Sequence, residues 1–360
     1  MTDQTFERDW ISAPGETIAE LLEEQSLSTD AFAQRIGQSF SFAEELLSGE
    51  AVITADIAER LAGVLGASKN FWINREALYR KAIARFESRL DTEIVEAWIA
   101  QLPLRDMVKS GWVHSIPSDS KKQAAACLQF FGVPNVDAWR QTFDDVLKTA
   151  FRTSQTFSND PAAVAAWLRQ GELEAANLDC AEWNKDKFRE ILAEIRGLTR
   201  ERDPQIFIPE LQQHCAACGV AVLVIKAPTG CRASGAVRIL SDSRRMILLS
   251  GRYLTDDQFW FTFFHEAGHL ILHDGEALLL EGVGVISDAE ETEANEFATD
   301  TLIPPNRRQE MLRLPFDAKE IMRFAKDIGV SRGVVVGQLQ HAGKIKHSHF
   351  RNLKFQFQWD

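Results

Sequence analysis

Two histidines and a glutamate stand in the order His265-Glu266-x-x-His269, inside an apolar run from Phe259 to Leu272. Residues four apart share one face of a helix, so both imidazoles can reach one metal ion. Zinc suits two neutral imidazoles, and the adjacent glutamate is placed to take a proton from a water that the metal polarises. The spacing indicates a zinc hydrolase with His265 and His269 as metal ligands and Glu266 as its catalytic residue.

The helix that carries this motif is apolar nearly all round. Burying two imidazoles and a carboxylate there without partners is costly, and a zinc ion removes that cost. We expect Thr255 to cap the helix and Gln258 to complete a capping box.

A catalytic zinc site needs a third protein ligand and one open position. A second predicted helix, around 290–298, offers several glutamates. Glu291 lies beside its apolar stripe with Asn295 one turn further on, which favours Glu291 as the ligand and Asn295 as a residue that orients a liganding imidazole. Glu293, on the other edge of the stripe, is the competing ligand.

Four further histidines are weaker candidates. His273 lies one turn beyond His269, but three histidines in line along one helix cannot all converge on one tetrahedral ion, so we interpret His273 as structural. His341, His347 and His349 belong to a polar tail, where they are either surface residues or stabilise the oxyanion of a tetrahedral intermediate.

The elements that must hold this site differ along the chain. Helical patterns with buried aromatic residues continue to about residue 197, a β-branched run follows at 219–226, and a hairpin is predicted over 234–249. We therefore predict a mostly α, α+β protein with a small sheet beside the motif. The domains expected are a helix-turn-helix domain (1–85), a helical spacer (86–190) and the catalytic domain (191–360).

The N-terminal part reads as a bundle of short helices. Ser28 is a predicted N-cap of a helix that Gly37 ends, and a third helix spans about 41–48. A fourth helix, 55–65, is capped by Thr54. Two short helices joined by a tight turn inside such a bundle are typical of a helix-turn-helix, whose second helix can enter a DNA major groove.

The segment that would read DNA, residues 38–45, contains no lysine or arginine. Gln38, Ser39 and Ser41 are its candidates for contacts with base edges. Residues 1–75 carry thirteen acidic and only five basic side chains, so contacts with DNA phosphates have little support. Two interpretations stay open: specific DNA binding, and a protein-interaction module that would also allow a homodimer.

Composition sets the outer limits. The net charge of -12 over 360 residues argues against a broad nucleic-acid footprint. No signal-peptide pattern and no run of eighteen apolar residues occurs, so we expect a cytoplasmic protein without a membrane partner. Five cysteines suggest reduced thiols, and we expect Cys215 and Cys218 to be small core residues rather than half of a zinc knuckle.

The N-terminal residues resemble a known family. Leu46-Leu47-Ser48-Gly49, Ala58-Glu59-Arg60-Leu61-Ala62 and Phe71-Trp72-Ile73-Asn74 look like a HigA-type antitoxin of the XRE helix-turn-helix family. That resemblance implies a DNA-binding regulator. The rival interpretation of the whole chain is accordingly a DNA-binding antitoxin or transcriptional regulator whose zinc domain only senses or stabilises.

The C-terminal part has a second resemblance. The sequences HEAGHLILH and EANEFATDTLIP look like the ImmA/IrrE family of zinc metallopeptidases, in long members with an XRE domain in front. This implies a zincin-like, gluzincin-type domain in which two histidines and a downstream glutamate hold Zn²⁺ and Glu266 is the general base. It also implies a protein substrate, a repressor or an antitoxin. We expect a strand of the 234–249 hairpin to pair with an extended substrate.

Overall fold

The computed structural model describes residues 12–88, 90–113, 119–143, 160–251, 255–273, 278–280 and 288–357. The described chain is mostly helical with one small sheet, which confirms the predicted fold class. It divides into two units, residues 1–100 with 113–136, and residues 101–112 with 137–360. The three-domain division stays a prediction. No described helix has the length and apolarity that a membrane span requires.

The first unit is a helical bundle. Its helices are α1 (Pro14–Glu24), α2 (Thr29–Ile36), α3 (Phe40–Leu47), α4 (Ala55–Leu65), α5 (Lys69–Ser88), α6 (Thr92–Ile99) and α8 (Ser120–Phe131). The predicted ends are confirmed: Ser28 Oγ accepts from Ala31 N, Thr54 caps α4, and Gly37 has φ 64°, a conformation that glycine adopts without strain. Phe32, Leu61 and Trp72 fill a common core.

Basic side chains of this unit hold the bundle together. Arg60 donates through Nη1 to Ile36 O at 2.9 Å, where it satisfies a carbonyl at the end of α2. Arg75 Nη1 donates to Ser12 O at 2.9 Å, and Lys69 Nζ lies 2.6 Å from Glu59 Oε2. Three of the few cations near the helix-turn-helix therefore already have protein partners.

The second unit contains the sheet. Its helices are α7 (Leu104–Lys109), α9 (Val136–Thr142, whose first residue is assigned to the other unit), α10 (Pro161–Ala176), α11 (Lys185–Leu198), α12 (Pro204–Ala216), α13 (Asp256–Leu272), α14 (Asp288–Leu302), α15 (Pro305–Leu312), α16 (Ala318–Ile328) and α17 (Arg332–His341). A 3-10 turn, Arg351–Leu353, follows. Cys215 and Cys218 are buried free thiols, as predicted.

Four strands form the sheet in the order β1-β3-β2-β4, with β1 at Val220–Val224, β2 at Gly235–Ser241, β3 at Arg244–Leu249 and β4 at Leu278–Leu280. The predicted hairpin is β2 and β3, and β1 runs parallel to β3. Each hairpin strand has a hydrogen-bonded neighbour on both sides. Strand β3 lies between β1 and β2, and β2 pairs with β4 over residues 236–238. The expectation that this hairpin offers an edge to substrate is therefore wrong for those residues. Among the described strands, β4 and β1 are the edges.

The sheet separates two layers of helices. Met246 and Leu248 of β3 lie against Gly171 of α10, where an added Cβ would come within 2.8 Å of the leucine. Ile247, the residue between them, belongs to the core shared with α13. Successive residues of a strand point to opposite faces, so β3 is buried on both sides.

The start of α13 is held by the C-terminal segment. Thr255 is the N-cap residue, but its side chain caps no backbone N–H and bonds Gln258 Oε1 instead, so the predicted capping box is wrong. Asp256 N donates to Phe355 O at 3.0 Å, and Phe355 N donates to Asp256 Oδ1 at 2.8 Å. Lys354 Nζ lies 2.5 Å from Asp257 Oδ2. A distant segment thus supplies what a local capping motif would have supplied.

Candidate metal centre

Two packed helices, α13 and α14, bring the candidate ligands together. His265 and His269 are 2% and 0% exposed on α13, and their Nε2 atoms lie 3.0 Å apart. Residues four apart on a helix are neighbours on its surface, which explains this approach. Both imidazoles therefore present the same nitrogen to one point.

Glu291 of α14 completes the group. Its Oε2 lies 3.4 Å from His265 Nε2, and its Oε1 lies 3.9 Å from His269 Nε2. One ligand atom from each of the three residues falls within 4.8 Å of the others, which makes them the group of described residues suited to hold a metal ion. The Glu291 side chain is 29% exposed, in contrast to the two buried histidines.

Asn295 lies one turn beyond Glu291 on α14. Its Oδ1 is 3.1 Å from Nδ1 of His265, on the side of the ring away from Glu291. An amide oxygen can only accept, so this contact fixes the proton of His265 on Nδ1 and leaves Nε2 with a lone pair.

Glu293, the competing candidate, has a different partner. Its Oε2 lies 3.0 Å from His273 Nε2, and His273 Nδ1 lies 3.1 Å from His269 Nδ1. The sequence interpretation treats His273 as structural and Glu293 as the competing ligand, and both stay predictions. The structure places the two side chains in a chain of contacts behind His269.

The protonation states suit metal binding. Burial, and then the neighbouring His265, lower the pKa of His269 to about 4, so its imidazole is neutral at neutral pH. Burial raises the pKa of Glu291, but its hydrogen bond and charge interactions with the histidines outweigh that effect, and its pKa falls below the usual value. Neutral imidazoles and an ionised carboxylate are the forms that bind a metal.

Glu266 faces the first residue of β2. It is 0% exposed, and a Cβ added at Gly235 would lie 2.3 Å from Glu266 Oε1. Only glycine leaves room for the carboxylate at this point. The sequence interpretation did not identify Gly235, because nothing local in Ser234-Gly235-Ala236 indicates which helix the strand meets.

Comparison with known proteins agrees with both halves of this description. The family model of peptidase M78, described as IrrE N-terminal-like domain, matches residues 219–340, which include β1, α13 and α14. Over 88 residues the chain is 31% identical to the uncharacterized HTH-type transcriptional regulator YddM of Escherichia coli strain K12, covering 24% of this chain and 92% of that protein. The chain belongs to the helix-turn-helix proteins with an ImmA/IrrE-type domain.

The three histidines nearest the C-terminus lie outside the ligand group of this ImmA/IrrE-type domain. The His341 ring is 6.2 Å from the Phe261 ring, which is itself 6.2 Å from the His265 ring. His349 stacks edge-on against Phe316, and the carbonyls of His347 and His349 accept from Gln340 Nε2. The contacts of His347 and His349 therefore indicate residues that stabilise the C-terminal segment.

The candidate DNA contacts of the helix-turn-helix gather at the start of α3. Gln38 is half-buried, whereas Ser39 and Ser41 are exposed. Ser39 is the N-cap of α3, and its Oγ accepts from Phe42 N at 3.1 Å. The hydroxyl of Ser39 therefore has a structural partner, although it can still donate its own hydrogen.

Proposed function

We propose that the protein is a zinc-dependent endopeptidase that cleaves a protein regulator of the repressor or antitoxin class. The observation that carries this proposal is the convergence of His265, His269 and Glu291 beside Glu266, inside a domain of a metallopeptidase family. The regulator-type domain at the front of the same chain supports a substrate involved in transcription.

The donor set fits zinc. Two imidazole nitrogens and one carboxylate oxygen form a common three-ligand set of catalytic zinc, which keeps a further position for water or substrate. His265, His269 and Glu291 would hold the ion through the atoms that face one another. The metal, when bound, would polarise water and stabilise negative charge on the substrate carbonyl oxygen.

Glu266 would move the proton. It is the residue next to His265 on α13, and the space beside Gly235 accommodates its carboxylate. In this role it takes a proton from the attacking water and then gives it to the amine that leaves when the peptide bond breaks. Asn295 keeps the His265 ring in the orientation that ligation requires.

The deciding experiment compares the full-length zinc-loaded protein with Glu266→Gln. Because glutamine cannot accept a proton, cleavage should fall by about 10²-fold to 10⁴-fold while bound zinc, measured by mass spectrometry of the metal, stays at one ion per chain. Cleavage is followed by mapping new protein N-termini in the proteome of the source cell. Glu296→Gln, an exposed charge on α14, is the matched control.

Loss of cleavage in Glu266→Gln but not in Glu296→Gln supports the peptidase. Equal cleavage by the wild type and Glu266→Gln, or no cleavage by either with zinc present, favours the rival function, a DNA-binding antitoxin or transcriptional regulator with a sensory or structural metal domain. Chelation that unfolds the protein without any activity would identify a structural zinc.

For the N-terminal bundle we propose binding of DNA or of a partner protein through the start of α3. Similarity to a named HTH-type regulator favours DNA, and Gln38, Ser39 and Ser41 are the residues that would read bases. A gel shift at low salt with the chain's own promoter tests this, and sedimentation under the same conditions detects a homodimer. Absence of any shifted band would leave partner binding as the function of the bundle.

A further inference from the structure

His273 and Glu293 lie behind His269, on the side away from the metal-facing atoms. His269 Nε2 faces His265 and Glu291, whereas its Nδ1 is 3.1 Å from His273 Nδ1. The other nitrogen of His273, Nε2, is 3.0 Å from Glu293 Oε2. Three side chains, from α13, from its C-cap residue His273 and from α14, thus form one continuous line that begins at the proposed metal ligand and ends at the protein surface, where Glu293 is 60% exposed.

The proton positions along this line have one consistent arrangement. A neutral imidazole carries one N–H and one lone pair. If His269 ligates through Nε2, its N–H is on Nδ1 and donates to the lone pair of His273 Nδ1. The N–H of His273 is then on Nε2 and donates to Glu293, a carboxylate that only accepts.

We propose that His273 and Glu293 are positioning residues of the metal centre, which set the tautomer and the ring orientation of His269. This proposal rests on the proposed metal function of His265, His269 and Glu291. It assigns a role to two residues that touch neither substrate nor metal, and it explains why Glu293 takes no place among the ligands.

The two liganding histidines are then held by different devices. His265 Nδ1 meets a single amide oxygen, that of Asn295, whereas His269 Nδ1 meets a second imidazole backed by a carboxylate. Both devices leave Nε2 as the lone-pair nitrogen. Hydrogen-bonded partners of this kind commonly contribute about 10-fold to 100-fold to metal affinity.

The test measures zinc affinity of the full-length protein by competition with a chromophoric chelator. His273→Ala removes the acceptor for His269 and should weaken zinc binding by about 10-fold to 100-fold. Glu293→Ala, which leaves His273 in place, should have a smaller effect in the same direction. Glu296→Ala removes an exposed charge from the same helix and should leave the affinity within twofold of the wild type.

A rescue variant separates positioning from general packing. Asparagine places its Oδ1 at the branch position that Nδ1 occupies in histidine, so His273→Asn can accept from His269 as Asn295 does from His265. It should recover most of the lost affinity, and the visible spectrum of the cobalt-substituted protein should return towards that of the wild type. Circular dichroism of each metal-free variant checks that the fold is retained.

Three results bear on the proposal. Weaker binding in His273→Ala with recovery in His273→Asn supports it. Unchanged affinity in His273→Ala, or a folded His273→Asn no better than His273→Ala, overturns the positioning role and leaves the metal site intact. A wild-type protein that binds no zinc overturns the proposed function itself, and with it the inference.

Discussion

In the N-terminal bundle, Ser28, Ser39 and Thr54 each accept a hydrogen bond from a backbone N–H of the helix they begin. In the proposed metal centre, His265, His269 and Glu291 are instead directed at one another across two helices. The first arrangement lowers the free energy of the fold. The second raises it when no metal is bound, because buried polar groups lose water. Polar residues that converge although their burial raises the free energy of the fold are therefore better indicators of function than helix caps.

The largest effect is expected from a substitution within the proposed metal-binding group itself. Glu291→Gln removes the carboxylate that lies 3.4 Å from His265 Nε2 and should reduce zinc affinity by more than the roughly 100-fold that outer residues reach. Glu293→Gln keeps an acceptor for His273 and should change the zinc affinity by less than about 10-fold. Chelator competition measures both variants. If Glu293→Gln proved the more damaging of the two, Glu293 would be the third ligand.

The next effect concerns the shape of the buried site. In Gly235→Ala the new Cβ would stand 2.3 Å from Glu266 Oε1, so the carboxylate must move. Because small misplacements of a catalytic group are costly, cleavage should fall by about 100-fold with zinc affinity unchanged. Gly197→Ala, where an added Cβ meets no atom within 4 Å, is the control. Full activity in Gly235→Ala would show that Glu266 does not act from this position.

A third effect appears in the pH dependence of stability. Burial raises the pKa of Asp256 to about 6, although Ser331 and Phe355 donate hydrogen bonds to it. The folded state therefore binds the proton more tightly than the unfolded state. That contribution is complete below pH 4 and is lost as the pH rises towards 6.

Asp256→Asn has no such proton to lose. Its unfolding free energy, relative to the wild type, should improve by about 1–3 kcal/mol between pH 4 and pH 7.5, as measured by denaturant titration of the metal-free protein. Asp179→Asn, at an exposed position, serves as the control and should show no comparable change. A difference that is the same at both pH values contradicts the raised pKa.

The smallest expected effect concerns the N-terminal bundle. Ser39→Ala removes the hydroxyl that caps α3 and should lower the stability of that helix by about 1 kcal/mol, seen as faster hydrogen exchange of its amides. Ser41→Ala, exposed on the same helix, should leave that exchange unchanged. If both variants weakened a gel shift equally while only Ser39→Ala loosened the helix, these hydroxyls would act in DNA binding as well.

The sequence predicts local features of both regions well. Helix ends at Ser28, Gly37 and Thr54 follow from caps, whose physical cause lies within a few residues. The hairpin over 234–249 and the helix behind Glu291 follow from periodicity in the same way. For the proposed metal centre, the spacing of His265 and His269 is enough to predict that their side chains lie side by side, because one helix carries both.

Features that depend on distant partners escape such reasoning. The capping box at Thr255 was expected from adjacent residues, but Phe355 and Lys354 hold that helix end. The short strand β4 is set by its pairing with β2, and that pairing occupies residues 236–238 of the hairpin edge proposed for substrate. The pairing of His273 with Glu293 likewise depends on how α13 and α14 pack.

The clasp between the start of α13 and the C-terminal segment has a consequence for synthesis. Asp256 and Phe355 are 99 positions apart, and translation proceeds from the N-terminus. The helix that carries both histidines leaves the ribosome well before Lys354 and Phe355 exist to hold its first turn. The helices of the first unit all end by residue 131, so this unit can fold first. Each newly made molecule can thus complete its N-terminal bundle before the frame of its proposed metal centre exists.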